Sequence, residues 1–564
     1  MRSDRRAAPH SLPLSAKAEQ AGWSLDRALT MFLDDVDACV DMPASTPCVA
    51  FLSDEDDSPI HALLTDTADV HVFEAANPDR HIALTAEAPF DVIVDDTNGS
   101  DSDRADLFRT AFLHLRRGGA YLIRDADTDD TSDDTGLAAL LGSLTQERLK
   151  PPIDNKPRGA EADRRRLAAA IGELTIRGRH VLVTSRVTAR AKLRDEQTGE
   201  FLRRRGPTAG DTVSTRPGVD FASRATVRES GSGGGRPLPT GYDAPKMSLR
   251  TYRNVTCAPG QVAWQGNVIL PDTFRHNQRP SLNNRHLRRL TPLFAATPKA
   301  ASVEHLAGAY FYLDSEFRGH FGHAITEQLS RLWAWRTAKA AEPDLKALLL
   351  VKNRELAQWE LDLYAAAGVP ADDVVVRRDD VTVERLYAAT PMFSQPDYVH
   401  LEIERVWRQV SDRLAVHAED RERPRKFFCA RRGTKRPCRN AEDVEDLFAA
   451  HGFDVVHPED YPLAEQAAMF RHADVIGGYA GSALFNTCLS VNPKHVVMVS
   501  SESYHAQNEY MVASVLKHRL DIAWCEADLK PTGRGFNKAV FHSPFTFNMD
   551  REGAWLQGIL SSLP

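Results

Sequence analysis

KFFCARRGTKRPCRN (residues 426–440), GFDVVHPEDYPLAEQAAMF (452–470) and ADVIGGYAGSALFNTCLSVNP (473–493) follow one another closely and read as one α/β unit. A strand ending in cations leads to a helix, a second strand and a second helix. A third strand then breaks into Gly477, Gly478, Gly481 and Ser482 and opens another helix. Glycines let a backbone approach a ligand, and the N–H groups at a helix start point at anions. Arg431, Arg432, Lys435, Arg436 and Arg439 lie just upstream. A Gly-rich helix start with cations nearby suits a phosphate-bearing ligand, and a nucleotide-sugar is the sharpest form of that idea.

Working outward, the same alternation recurs twice. From residue 46 to about 190, CVAFLS, DVHVFEA, FDVIVDD and AYLIRD read as strands separated by helices, with HVLVTSR as a late strand. The helix DRADLFRTAFLHLRRGG is expected to stop at its glycines. Strands alternating with helices at this spacing predict an open, mostly parallel sheet. Residues 1–45 read as a polar leader plus one helix. Residues 191–245, with GPTAGDT and ESGSGGGRPLPTG, have the composition of a flexible linker. From 246 to 420, short β-like segments precede the helix GHFGHAITEQLSRLWAWRTA, the strand KALLLV, a helix, the strand DDVVVR and a long helix. Residues 421–564 close the chain. The expected architecture is α/β throughout, with two Rossmann-like halves after residue 245 facing across a cleft, where such folds place ligands.

At 564 residues the chain exceeds one core, and two or three domains follow. A net charge of −8 argues against a general nucleic-acid binder, and the acidic run 125–134 and basic region 164–205 read as solvated surface. Seven cysteines without a CxxC pair indicate neither a disulfide framework nor a zinc site, and reduced, cytoplasmic thiols fit best. The N-terminus lacks an apolar signal core, and no apolar run approaches the ~20 residues of a spanning helix. Any membrane contact is expected to be peripheral, at the inner face.

Four motifs carry the candidate chemistry. In GHFGHAITEQLSRLWAW, His323, Glu327 and Arg331 recur every fourth residue and share a helix face. His323 or Glu327 at a cleft can take a proton from an attacking hydroxyl, although a surface ion pair gives the same spacing. In RRGTKRPCRN, Arg431 and Arg436 suit bidentate contact with phosphate oxygens, and Asn440 suits the N-cap of the next helix. Glu465 and Gln466, near the start of an amphipathic helix, suit a ribose or a base, or a plain polar helix face. Gly481, Ser482 and Asn486 stand at the helix opening after the apolar strand.

Together these motifs resemble those of glycosyltransferase family 61, the DUF563-type enzymes of capsular and other polysaccharide biosynthesis, over residues 247–535. His323 with Glu327 matches the family's His-x-x-x-Glu helix, and LSRL its following segment. Arg431, then Arg436 closing on Asn440, matches its arginine-rich turn. Glu465–Gln466 matches its Glu-Gln pair, and Gly481, Ser482, Ala483, Leu484 and Asn486 match its HGAGLTN-like loop. Two positions depart: the loop histidine is Ala480, and the residue after Asn440 is Ala441 rather than Glu. The resemblance implies a GT-B pair of halves, with 246–420 on the acceptor side and 421–564 on the donor side. It also implies inverting transfer without a bound metal or other required cofactor.

Residues 46–190 resemble a class I methyltransferase sheet through FDVIVDD and LRRGGAYLIRD, but the first strand ends in SDEDDSP where that family has glycines. Without them the backbone cannot approach S-adenosylmethionine closely, so that cofactor is not expected, although Glu74 could meet a ribose. The resulting expectation is a transferase acting on a nucleotide-sugar donor and a glycan or lipid-linked acceptor. A methyltransferase, a bifunctional glycan-modifying enzyme and a non-catalytic scaffold are the alternatives.

Overall fold

The computed structural model describes residues 12–22, 27–40, 46–54, 59–65, 68–126, 135–150, 159–231, 237–280, 284–297, 303–352, 355–433, 435–530 and 536–563. Residues 55–58 of the SDEDDSP segment, most of the acidic run and the glycine tract 232–236 lie outside the described residues. The chain is a mixed α/β protein with several parallel and antiparallel sheets. It divides into one unit of Met1–Asp211, Tyr252–Ala258 and Val262–Glu304, and another of Thr212–Thr251, Pro259–Gln261 and His305–Pro564.

The first unit is built on a six-stranded sheet in the order Asp69–Glu74, Cys48–Ser53, Phe90–Asp96, Leu115–Ile123, His180–Ser185, Ile171–Arg177. The first four strands are parallel, and His180–Ser185 runs antiparallel to both its neighbours. Apolar residues run continuously through the central strands because both sheet faces are covered. Val49, Phe51, Val92, Val94 and Leu122 join one apolar cluster, while Ala50, Leu52, Ile93, Tyr121 and Ile123 join another. The glycines of LRRGG do not stop a helix. The helix ends at Ala111, and RRGG lies within the strand Leu115–Ile123. There the register slips, with Phe90 opposite Leu115 but Val92 opposite Ala120, as at a bulge. The N-terminal region also holds a helix, Leu14–Gln20, that its polar composition did not suggest.

The expectation of a flexible linker over 191–245 is corrected by the structure. That region forms the helix Asp195–Arg205 and the strands Gly210–Arg216, Val219–Ala222, Thr226–Glu229 and Gly241–Ala244. Its glycines and prolines fall largely between short strands, where turns need them.

The second unit holds two sheets. In one, Val381–Ala389 neighbours Glu304–Tyr312, which continues in parallel with Lys346–Leu350 and Val374–Arg377. The other is parallel along its main path, in the order Thr226–Glu229, Arg519–Ala527, His495–Ser501, Val475–Tyr479, Lys426–Cys429, Asp454–Val456. One apolar cluster joins Phe311, Trp335 and Leu349 to Trp407, Phe427, Ile476 and Leu484, so these two sheets share a core. Phe428, Phe448, Val497 and Leu556 fill the other face of the second sheet. Its edge strand is locked by Arg228, whose guanidinium donates to both oxygens of the buried Asp521 at 2.5 and 2.6 Å. Among the described residues, no helix is long and apolar enough to cross a membrane.

Gly477 and Gly478 answer to packing rather than to a ligand. A Cβ on Gly477 would lie 2.8 Å from the Phe428 ring and 2.9 Å from that of Phe448, and one on Gly478 would lie 2.8 Å from Cβ of Cys429. A Gly477→Ala variant is therefore expected to lose about 1–3 kcal/mol of stability through overpacking. Denaturant unfolding measures this, and an unchanged midpoint would mean the two rings have room to move apart.

Candidate active site

The site is assembled at the carboxyl ends of the parallel strands of the second sheet, where open α/β sheets bind ligands. After Lys426–Cys429 the chain turns through Arg431–Arg436, and Arg436 holds φ +54°, a backbone region uncommon for a non-glycine residue. After Val475–Tyr479 it turns at Gly481, φ +147°. The Arg431 guanidinium donates to the carbonyls of Ala480 and, at 3.2 Å, of Arg436. A Cβ on Gly481 would lie 2.7 Å from Nη2 of Arg431 and 3.2 Å from Nη2 of Arg436. Only glycine leaves both guanidinium groups in place.

The two arginines are held by aromatic faces. Arg436 sits 4.5 Å from the Tyr504 ring centre and 5.2 Å from that of Phe541, and Arg431 sits 5.8 Å from that of Tyr479. Burial and the neighbouring Arg436 push the Arg431 guanidinium down to about 10. Beneath the turn lies Glu509, on the helix Asn508–Leu516 and 3% exposed. Its Oε1 accepts from the Gly481 N–H at 2.6 Å and from the Tyr504 hydroxyl at 3.3 Å. Burial raises the Glu509 carboxyl to about 7, against the opposing pull of the Gly481 N–H, Arg436 and Tyr504. Sequence reasoning passed over Glu509 and Tyr504 because neither lies in a patterned motif. The sequence context of Glu509 gave little signal, since an acid in the first turn of a helix, here NEYMVASVL, is ordinary.

The helix expected over GHFGHAITEQLSRLWAWRTA is a composite. It runs as an α-turn over Phe321–His323, a π-helical segment over Ala324–Gln328, a 3₁₀ segment over Leu329–Ala334 and an α-helix over Trp335–Ala341. Such π segments concentrate at functional sites. The expected His323–Glu327 pair survives, with Nδ1 3.0 Å from Oε1. The His323 ring stacks on Phe317 at 4.4 Å and meets His320 edge-on at 4.9 Å. Arg331, expected on the same polar stripe, is buried instead.

The composite helix meets the Gly481 turn directly. A Cβ on Gly322 would lie 2.7 Å from Oγ of Ser482 and 2.8 Å from the Phe485 ring. His320 is pushed down to about 4, first by burial and then by His323, Lys435 and Arg436. It is therefore neutral at physiological pH, and its surroundings tie the two clusters together.

Of the residues singled out by sequence, His323, Glu327, Arg431, Arg436, Gly481 and Ser482 converge here, and four others, Asn440, Glu465, Gln466 and Asn486, are engaged by other parts of the protein. Asn440 makes no side-chain cap to its helix. Its amide is committed to Phe547, accepting from the backbone N–H at 3.1 Å and donating to the carbonyl at 2.9 Å. Gln466 accepts from Nδ2 of the buried Asn486 at 3.0 Å and donates to the Tyr461 carbonyl, so the pair supports the turn from beneath. Glu465 accepts from the Glu419 N–H at 2.5 Å and pairs with Arg421 and Arg423 at 2.9 and 3.1 Å. Burial alone would raise its carboxyl, but those donors outweigh burial and hold it below its ordinary range. In the first unit, Glu74 lines an open polar pocket with His71, Asn77, Arg80 and Glu87.

Residues 321–498 match the family model for Glycosyltransferase 61. The matched segment contains the composite helix, the arginine turn and the Gly481 loop. No curated protein matches the chain. Among solved structures, the MycE methyltransferase from the mycinamycin biosynthetic pathway with Mg and SAH is similar at 14% identity in two crystal forms. Both cover 31% of this chain, and 55% or 54% of the methyltransferase chain, with a TM-score of 0.25. Its complex with Mg, SAH and mycinamycin VI gives 13% identity, 31% and 53% coverage and a TM-score of 0.24. The chain thus spans little more than half the length of these structures.

The hydrogen bonds of Asn440 define its role. Asn440→Ala is expected to cost about 1–3 kcal/mol, the usual penalty when buried backbone groups lose a partner. Differential scanning calorimetry checks this, and an unchanged midpoint would mean that the Phe547 backbone groups find other partners.

Proposed function

We propose that the protein is a glycosyltransferase that moves a sugar, with inversion, from a nucleotide-sugar to a polysaccharide or other glycan acceptor, lipid-linked or free, in surface-polysaccharide synthesis. The observation that carries this reading is the convergence of an oriented imidazole with an arginine pair, inside the family 61 segment. The two sheets of the second unit would act as a GT-B pair, with the donor on the side of residues 421–564. The reading places the enzyme in the cytoplasm, peripheral to the inner face of the membrane, and it requires neither a metal nor S-adenosylmethionine.

In this mechanism the acceptor hydroxyl attacks the anomeric carbon as the bond from that carbon to the diphosphate oxygen breaks. Glu327 engages Nδ1 of His323, which fixes the tautomer with the lone pair on Nε2, the nitrogen that accepts the hydroxyl proton. Phe317 holds the ring plane by stacking. Arg431 and Arg436 meet the negative charge that grows on the departing diphosphate, and they are pre-positioned by the Ala480 carbonyl and the Tyr504 face. A single displacement of this kind inverts the anomeric centre. The Gly481 N–H, expected from sequence to serve the diphosphate, is engaged by Glu509 instead.

Titration calorimetry with UDP, GDP and CMP tests the donor site. One nucleotide should bind, and Arg436→Ala should weaken it about ten- to a hundredfold, the loss of one charge-assisted contact of about 1.5–3 kcal/mol. Full affinity in that variant would remove the arginine from the donor site. His323→Ala should lower kcat about 10²–10⁴-fold, the usual contribution of a general base, while nucleotide affinity stays as in the wild type. A Glu327→Gln variant should retain part of the rate, since its amide still engages Nδ1. Unchanged turnover in both variants would overturn the base assignment.

A further inference from the structure

The Gly481 turn brings three ionic groups together: the guanidinium groups of Arg431 and Arg436 above it and the carboxyl of Glu509 below it. Glu509 is buried from solvent, so its negative charge is stabilised by these neighbours rather than by water. The groups facing it are Arg431 and Arg436 from the turn after Lys426–Cys429, Tyr504 and His505 from the loop after His495–Ser501, and the Gly481 N–H. Tyr510 is adjacent on its own helix. Nε of Arg436 is buried and has no hydrogen-bond partner among the described residues. The cluster therefore has cationic capacity to offer an anion while a carboxylate already competes for it.

We propose that donor binding at this site is coupled to protonation of Glu509: the diphosphate takes over the two arginines, and the carboxylate beneath them accepts a proton from solvent. The inference rests on the donor reading above and adds a proton to it. With no ligand, Arg431 and Arg436 favour the ionised carboxylate. A bound diphosphate adds like charge across one turn and draws the guanidinium charge toward itself, so the ionised form loses its support. The carboxylic acid can still accept from the Gly481 N–H through its carbonyl oxygen, and it presents no charge to the ligand. The balance is one proton from buffer, one neutral carboxyl formed and no covalent bond changed.

The sign follows from linkage. Burial pushes the Glu509 carboxyl up to about 7 in the unliganded protein, and bound diphosphate moves it higher. Proton uptake should therefore be small near pH 5.5, roughly half a proton near pH 7 and close to one near pH 8, with donor affinity falling as pH rises over that range.

The experiment is calorimetric titration of the full-length protein with UDP-glucose, UDP-N-acetylglucosamine and GDP-mannose, whose phosphodiesters carry no proton to exchange near neutral pH. Repeating it in Tris, HEPES and PIPES at fixed pH gives the protons taken up from the slope of apparent enthalpy against buffer ionisation enthalpy. The expected result is uptake that is lost in Glu509→Gln, which keeps the acceptor for Gly481. That variant should bind the donor about tenfold more tightly than wild type near pH 8 and equally near pH 6. Tyr504→Phe keeps the ring beneath Arg436 but removes a hydrogen bond to the carboxylate, so the midpoint of uptake should move to higher pH. It serves as the test if Glu509→Gln does not fold, and an unmoved midpoint would overturn the inference. Binding without uptake, or uptake that persists in Glu509→Gln and so belongs to nearby histidines, would overturn it while leaving the donor site intact. Binding of none of the three donors would overturn the donor reading itself, and this inference with it.

Discussion

Two guanidinium groups pass so close to the Cα of Gly481 that no side chain can stand there, and the rest of the site is arranged around that approach. Like charges at this distance repel, and burial adds a desolvation penalty to each. The structure offsets both costs with partners on several sides. The Ala480 and Arg436 carbonyls take N–H groups of Arg431, the faces of Tyr504, Phe541 and Tyr479 lie against the guanidinium planes, and Glu509 supplies one negative charge from below. One carboxylate against two arginines leaves the cluster short of an anion. The positive φ of Arg436 belongs to the same arrangement, since a strained backbone persists only where its surroundings over-determine it.

The second half of the site is placed by a defect in a helix. A regular α-helix from 321 to 341 would have carried His323, Glu327 and Arg331 as one surface stripe. Widening to π geometry over Ala324–Gln328 and tightening to 3₁₀ geometry over Leu329–Ala334 sends Arg331 into the interior and leaves the His–Glu pair together. Gly322 then lets this helix start rest against Ser482 and Phe485. A larger residue at 322 would push His323 away from the arginines, and displacements of about 1 Å between reacting groups can cost a hundredfold in rate.

The sequence showed strand and helix alternation well, because apolar runs bounded by glycine and charge are local signals. It showed poorly whatever depended on a partner far along the chain. Asn440 suited a cap and its amide meets Phe547, and Glu465, which suited a ribose, a base or a plain polar helix face, pairs with Arg421 and Arg423. Gly477 looked like room for a ligand and is room for two phenyl rings. Each residue type was read for what it can do, whereas its surroundings are set by neighbours far along the chain, as far as 107 positions for Asn440 and Phe547. The same holds for Glu509. An acid in the first turn of a helix is locally ordinary, and its meaning requires the Gly481 N–H that meets it.

The strand Thr226–Glu229 extends this argument. It comes from the least ordered-looking part of the sequence, yet it pairs in parallel with Arg519–Ala527 and completes the edge of the sheet that carries the arginine turn. Four residues cannot form an edge strand on propensity alone, and here side-chain contacts add to the ladder, among them Trp524 Nε1 to Glu229 at 2.7 Å. Arg228 meets both oxygens of Asp521, a carboxylate with no exposure, while His495 approaches it from the next strand. Burial alone would raise Asp521, but these donors hold it down at about 2. The interaction is therefore complete above the ordinary carboxylate range and is lost only as pH falls toward that value. The sheet beneath the candidate donor site is thus closed by an ion pair that stays fully charged across the same neutral range in which Glu509 is poised to change its charge.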